Sequence, residues 1–214
     1  MSGNNGFLRW PDIFRLGLVQ AALGSVVVLI TSTLNRVMIV EYALPAVLPG
    51  TLVAVQYAVQ MIRPRFGHGS DVGGRRTPWI IGGMAVLAGG GILCAVATVT
   101  IASHPILGLA FAFAAYATVG LGVGAAGTSL LVLMAKQVDE TKRAAAASIM
   151  WVLMIAGFAI TATTVGHFLD PFSPLRLIAV TSVAAGVAVL VSVLAVWNVE
   201  KPEASRPQSA HVDF

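Results

Sequence analysis

Charge is scarce in this chain. Asp, Glu, Lys and Arg supply only 10% of its 214 residues, aromatics 7%, and cysteine occurs once, at Cys94. A lone cysteine excludes an internal disulfide and any cysteine-built metal site. Sparse charge combined with high hydrophobicity excludes intrinsic disorder. What is present instead is apolar: 57% of the residues are hydrophobic and the mean hydropathy is +0.86. With the 22 glycines counted the apolar share reaches about two-thirds, against roughly 45–50% for soluble domains. A water-soluble fold cannot hide that much apolar surface, so soluble enzymes and nucleic-acid binders are excluded. The solvent is lipid.

A bilayer core about 30 Å thick requires roughly 20 apolar residues per helical crossing. Uncharged runs occur near 16–40, 46–62, 78–103, 105–135, 144–168 and 175–198, and only Arg36 and Arg176 fall inside them. The fourth is longer than one crossing requires and is expected to tilt or project. Open sheet edges are forbidden in hydrocarbon and no period-two alternation is present, so the spans are predicted to be helices. The expected fold class is an all-α membrane protein with six transmembrane helices. No small-residue cleavage site closes the first run, which is too long for a secretory signal.

Cations set the orientation. Arg9, Arg15, Arg63, Arg65, Arg75, Arg76, Lys136, Lys142, Arg143, Lys201 and Arg206 fall on one face, Arg36 and Arg176 on the other. Both termini are therefore expected to be cytoplasmic, and Trp10, Trp79 and Trp197 fall where spans meet that basic side. The expected organisation is a cytoplasmic or interfacial segment 1–15, a bundle 16–198 and a polar tail or linker 199–214. Phe7, Trp10 and Phe14 recur at helical spacing, as in a short in-plane helix. The basic bias fits an anionic leaflet, and nothing points to a nucleic-acid partner.

Polar residues inside the spans are few enough to name. At about 100° per residue, Gln20, Gly24, Thr31 and Asn35 share an arc of about 60° on the first helix. Gln56 and Gln60 share a face of the second. Such groups seek partners in hydrocarbon, so these faces are expected to meet other helices or a cavity. The run Gly120-Leu121-Gly122-Val123-Gly124-Ala125-Ala126-Gly127 contains a formal GxGxxG, but no strand precedes it. A dinucleotide reading fails on that context. Gly120 and Gly124 instead form a small-xxx-small packing face. His68, Ser70 and Asp71 are close in sequence without implying triad geometry, and no catalytic constellation appears.

The segment Gly67-x-x-x-Asp71-x-x-Gly74-Arg75-Arg76 joins the second and third spans on the basic side. Its glycines permit a tight reversal, Asp71 suits a helix N-terminus or an arginine, and the arginines suit headgroups. It resembles the signature loop of the major facilitator superfamily, with Val72 where an arginine is usual. The resemblance implies a loop that latches two six-helix halves in one conformational state.

A second resemblance is closer. Arg15-Leu16-Gly17-Leu18, Gly24, Thr33-Leu34-Asn35-Arg36-Val37-Met38-Ile39-Val40-Glu41 and Met150-Trp151-Val152-Leu153-Met154 with Gly157 are similar to the PucC/LhaA family. That family is the bacteriochlorophyll delivery group of the same superfamily, and the likeness covers about residues 10–198. It implies a role in assembling light-harvesting complexes in the inner (photosynthetic) membrane of bacteria, with light-harvesting or reaction-centre polypeptides as partners and (bacterio)chlorophyll handled. Family members resemble twelve-helix proteins, and this chain corresponds to their N-terminal half. A second half-bundle is thus a further implied partner, beside membrane lipid.

Three functions follow as expectations. Coupled solute transport usually needs an ionisable group buried in the membrane, yet Glu41 and Asp170 sit at outer ends and Tyr116 stands where the superfamily places a coupling arginine. Pigment handling needs axial ligands for magnesium; His104 and His167, near the outer ends of the third and fifth spans, are the candidates, with Gln56, Gln60 and Asn35 inside the bundle. A structural subunit of a photosynthetic complex is the third. No enzymatic activity and no protein-bound metal are expected.

Overall fold

The computed structural model describes residues 7–61 and 75–200. Every regular element among them is helical. α1 (Trp10–Val28) runs through a π-helical segment, Leu29–Leu34, into α2 (Asn35–Val40) as one 31-residue rod. Then come α3 (Val47–Gln60), α4 (Thr77–Ser103), α5 (Pro105–Gln137), α6 (Arg143–Phe168) and α7 (Pro174–Val196).

Proline punctuates this order. It occupies the first turn of α1, α4, α5 and α7, where its missing N–H is no loss. His104 alone separates α4 from α5, because the residue before Pro105 is pushed out of helical geometry. At α7 the Ser173 hydroxyl caps the helix, accepting from the Arg176 N–H at 3.2 Å. Before α6, Asp139 accepts from the Thr141 hydroxyl at 2.5 Å and its N–H at 3.0 Å. Those bonds hold its carboxyl below the usual carboxylate range.

Five rods are long and apolar enough to cross a membrane: 10–40, 77–103, 105–137, 140–168 and 174–196. The second expected crossing, 46–62, takes shape as α3, only 14 residues long. At 1.5 Å per residue that is about 21 Å, short of a full crossing. α5, at 33 residues, is about 50 Å long and exceeds the hydrocarbon as expected. Among the described residues no separate helix precedes α1. Trp10 opens α1 directly, since Ile13 and Leu16 bury into a core with Ile80, Leu133, Met150 and Val196.

Close approach of backbones sets the packing. α4 and α5 lie antiparallel, with Gly83 against the Ala126 backbone and Gly122 against the Leu87 backbone, where a Cβ has no room. α1 and α6 run parallel: Gly17 meets Leu153, Ala21 meets Gly157, and Gly24 meets Phe158. α7 packs on α1 and α4, and α3 on α5. α6 rests mainly on α1, leaving Trp151, Val152, Ile155 and Ile160 well exposed.

Both ends of the chain's helical part meet at one end of the bundle. The Leu8 N–H donates to the Gln137 carbonyl at 2.8 Å, and the Lys142 ammonium stands 5.9 Å from the Trp10 ring centroid. Arg15 Nη2 donates to the carbonyls of Leu194 and Trp197, at 3.2 and 2.5 Å.

Candidate functional site

The polar residues expected on one stripe of the first rod divide between two neighbours. Gln20 and Gly24 face α6, with Gln20 Nε2 3.3 Å from the Met154 sulfur and Gly24 against Met154 and Phe158. Asn35 faces α5, its Oδ1 accepting from the Tyr116 hydroxyl at 3.4 Å. The π segment between them is the cause. A π-turn adds one residue to a turn, which rotates everything beyond it by about 100°. The hydroxyl of Thr31, inside that segment, donates to the Val27 carbonyl at 2.9 Å. The Asn35 amide returns to the Thr31 carbonyl at 2.7 Å.

Gln56 and Gln60 share the buried face of α3 that meets α5. Gln60 has a polar or electrostatic partner. Gln56 is 0% exposed and neither atom of its amide is hydrogen-bonded among the described residues. That full enclosure leaves no space for a macrocycle at Gln56. Its backbone carbonyl instead abuts Gly120, one turn beyond Tyr116. Gly120 and Gly122 therefore serve different helices, α3 and α4. Gly120 packs closely as expected, and Gly124, the other half of the expected small-xxx-small face, is buried.

Of the signature-loop residues, Gly67, Asp71 and Gly74 lie outside the described residues. Arg75 is exposed, but Arg76 is buried at 3% exposure. Of the two arginines expected at the headgroups, only Arg75 is exposed, while Arg76 is enclosed by protein. The start of α4 is answered by a residue sequence reasoning assigned to the tail. Glu200 Oε1 accepts from the Arg76 N–H at 2.6 Å, and Oε2 from the Thr77 N–H and hydroxyl at 2.8 and 2.7 Å. A lone acid after Trp197 carries no local signal of that partnership.

The two histidines are not brought to the polar face. His104 forms the α4–α5 turn, its Nδ1 3.1 Å from Ser103 Oγ. His167 is exposed near the end of α6, beside the Phe168 ring. At the same end Tyr42 meets Phe172 edge-on at 5.8 Å. Burial, then the Glu41 charge, pushes the Tyr42 hydroxyl above its ordinary pKa. A groove of about 570 Å³ separates α6 from α7, floored by Ala21, Ala22 and Ser25 of α1. Among the described residues no three or more His, Cys, Asp or Glu side chains gather as metal ligands.

Apolar rods of crossing length, held together by glycine contacts, define a polytopic membrane protein. The chain belongs to the PUCC protein family, whose model matches residues 33–213. It is 55% identical over 194 residues to the Bacteriochlorophyll synthase 44.5 kDa chain of Rhodobacter capsulatus, covering 91% of this chain and 45% of that one. It is 31% identical over 200 residues to Protein PucC of the same organism, covering 88% and 43%. The match to Protein PucC of Cereibacter sphaeroides is 30% over 200 residues, covering 88% and 44%. The chain thus spans a little under half the length of these curated relatives.

Proposed function

We propose that this chain is a membrane factor for assembling light-harvesting complexes, one that handles (bacterio)chlorophyll and does not catalyse its chemistry. The observation that carries the reading is the 55% identity, over 91% of the chain, to a relative named for bacteriochlorophyll synthase. A bundle that rests α6 mainly on α1 offers a wide apolar flank. On this reading that flank receives light-harvesting or reaction-centre polypeptides, or a second half-bundle of the major facilitator type. His104 and His167 are the residues we assign to magnesium ligation.

The location is the bacterial inner (photosynthetic) membrane, with the 14-residue α3 as the core of a sixth crossing and both termini cytoplasmic. Support comes from the convergence of Arg9, Arg15, Arg75, Lys136, Lys142 and Arg143 at the end where α1 begins and α7 finishes. The positive-inside rule assigns that end to the cytoplasm. Deleting the gene in a phototrophic host, then restoring the full chain, tests the function. Near-infrared antenna absorbance should fall on deletion and return on complementation. Unchanged absorbance refutes the assembly role.

A half-transporter reading would need a buried ionisable group. None of Asp, Glu, Lys or Arg stands buried among the described residues except Arg76 at the bundle end. Transport by this bundle therefore has less support than assembly.

A further inference from the structure

We propose that the groove between α1, α6 and α7 receives the isoprenoid tail of a (bacterio)chlorophyll whose magnesium is held by His167. The inference rests on the pigment-handling reading above and gives it a place in the fold.

The groove exists because α6 and α7 both pack on α1 but scarcely on each other. Its volume of about 570 Å³ falls within the roughly 300–1,000 Å³ of ligand clefts. Ala21, Ala22 and Gly157 keep the floor deep, and Ile160, Val183 and Val187 form apolar walls. The Ser25 hydroxyl at the floor is already committed to the carbonyls of Ala21 at 2.9 Å and Gly157 at 3.4 Å. The slot therefore presents little polar demand and suits hydrocarbon.

Its shape suits a chain better than a macrocycle. On α6 the lining extends from Gly157 to Phe168, about 16 Å at 1.5 Å per residue. The far end supplies the ligand chemistry. There the exposed imidazole of His167 stands 5.9 Å from the Phe168 ring, between centroids. Its ring nitrogens make no hydrogen bond among the described residues, so a lone pair is available to an axial magnesium site. His167 does not itself line the groove but stands beside Phe168, which does. His104 engages Ser103 and belongs to the α4–α5 turn, none of whose residues lines it. The residues present thus fit a tailed pigment: an imidazole beside the end of the groove and a hydrocarbon slot along it.

Charge at the mouth argues for pigment over phospholipid. A phosphate headgroup wants uncommitted cations. The cation nearest in sequence, Arg176, directs its guanidinium to the Pro171 carbonyl at 2.6 Å. Asp170, exposed in the same connection, repels an anion.

The test compares bacteriochlorophyll with tail-free bacteriochlorophyllide on the purified full chain, read by retained absorbance and by visible circular dichroism. The tailed pigment should bind at least tenfold more tightly. Thr164→Phe and Ala184→Trp, which fill the groove from opposite walls, should each remove that advantage and leave tail-free binding unchanged. Two variants guard against misfolding of either. His167→Ala should abolish the induced dichroism of both pigments. Equal affinity for the two pigments overturns the tail site and leaves pigment handling standing. Tail-dependent binding that survives both groove variants overturns the groove as its location. A co-purifying phospholipid that pigment cannot displace from the groove also overturns it. Failure to retain either pigment overturns the pigment-handling reading itself.

Discussion

The Glu200 carboxylate accepts from the backbone N–H of Arg76 at 2.6 Å, across 124 residues of sequence. Its second oxygen takes the N–H and hydroxyl of Thr77. A negative charge thus sits on the positive end of α4 and satisfies amides that have no partner within the helix. Removing such a cap typically costs about 0.5–2 kcal/mol. Glu200→Ala should accordingly lower the thermal midpoint of the purified protein by several degrees. Glu200→Gln, which keeps acceptor capacity through one oxygen, should lose less. An unchanged midpoint in Glu200→Ala would show the contact to be idle.

Arg15 provides the opposite pairing, on a carbonyl three residues before Glu200. Its guanidinium reaches the carbonyls of Leu194 and Trp197, the negative end of α7. Hydrogen bonds from a charged donor contribute about 1.5–3 kcal/mol, and no other cation lies in the last turn of α7. Arg15→Met should therefore free the end of α7. We expect faster proteolytic cleavage after Trp197, with the rest of the bundle resistant. Cleavage at the wild-type rate would contradict this.

Two glycines of the α4–α5 pair make a sharper contrast. At Gly122 an added methyl would collide with the Leu87 backbone, whereas at Gly82 it meets nothing within 4 Å. Overpacking of this kind costs about 1–3 kcal/mol. At the open site alanine gains up to about 1 kcal/mol of helix propensity over glycine. Gly122→Ala should lower the unfolding midpoint in a mild detergent series, and Gly82→Ala should hold or raise it. Equal effects would mean that the helices are not in contact as closely as the structure has them.

The helices were legible in the sequence because the bilayer makes apolar run length decisive, and α4, α5, α6 and α7 fall within a few residues of their expected bounds. Two features escaped for physical reasons. A π segment leaves no compositional mark: regular helical spacing sets Gln20 and Asn35 on one stripe, whereas the wide turn at Leu29–Leu34 sends them to different neighbours. Long-range capping is equally silent. Glu200 reads as the start of a polar tail until the fold brings α4 beside it. Among the site residues, the packing role of Gly120 is readable from its small size. The groove along α6 was not, since it depends on how far two helices diverge.

Gln56 is the residue at which burial and hydrogen bonding conflict most directly. It is fully enclosed against α5, yet its amide has no partner among the described residues. An unmet buried polar group costs about 1–3 kcal/mol, and a leucine of similar length removes the demand with little change in volume. Gln56→Leu should therefore raise the unfolding midpoint, by about 2–4 °C for each kcal/mol gained in a chain of this size. Gln60, one turn on and partnered, supplies the comparison: Gln60→Leu should lower the midpoint. If Gln56→Leu instead destabilises the protein, the amide is engaged by something outside this bundle, and the α3–α5 seam becomes the place to look for it.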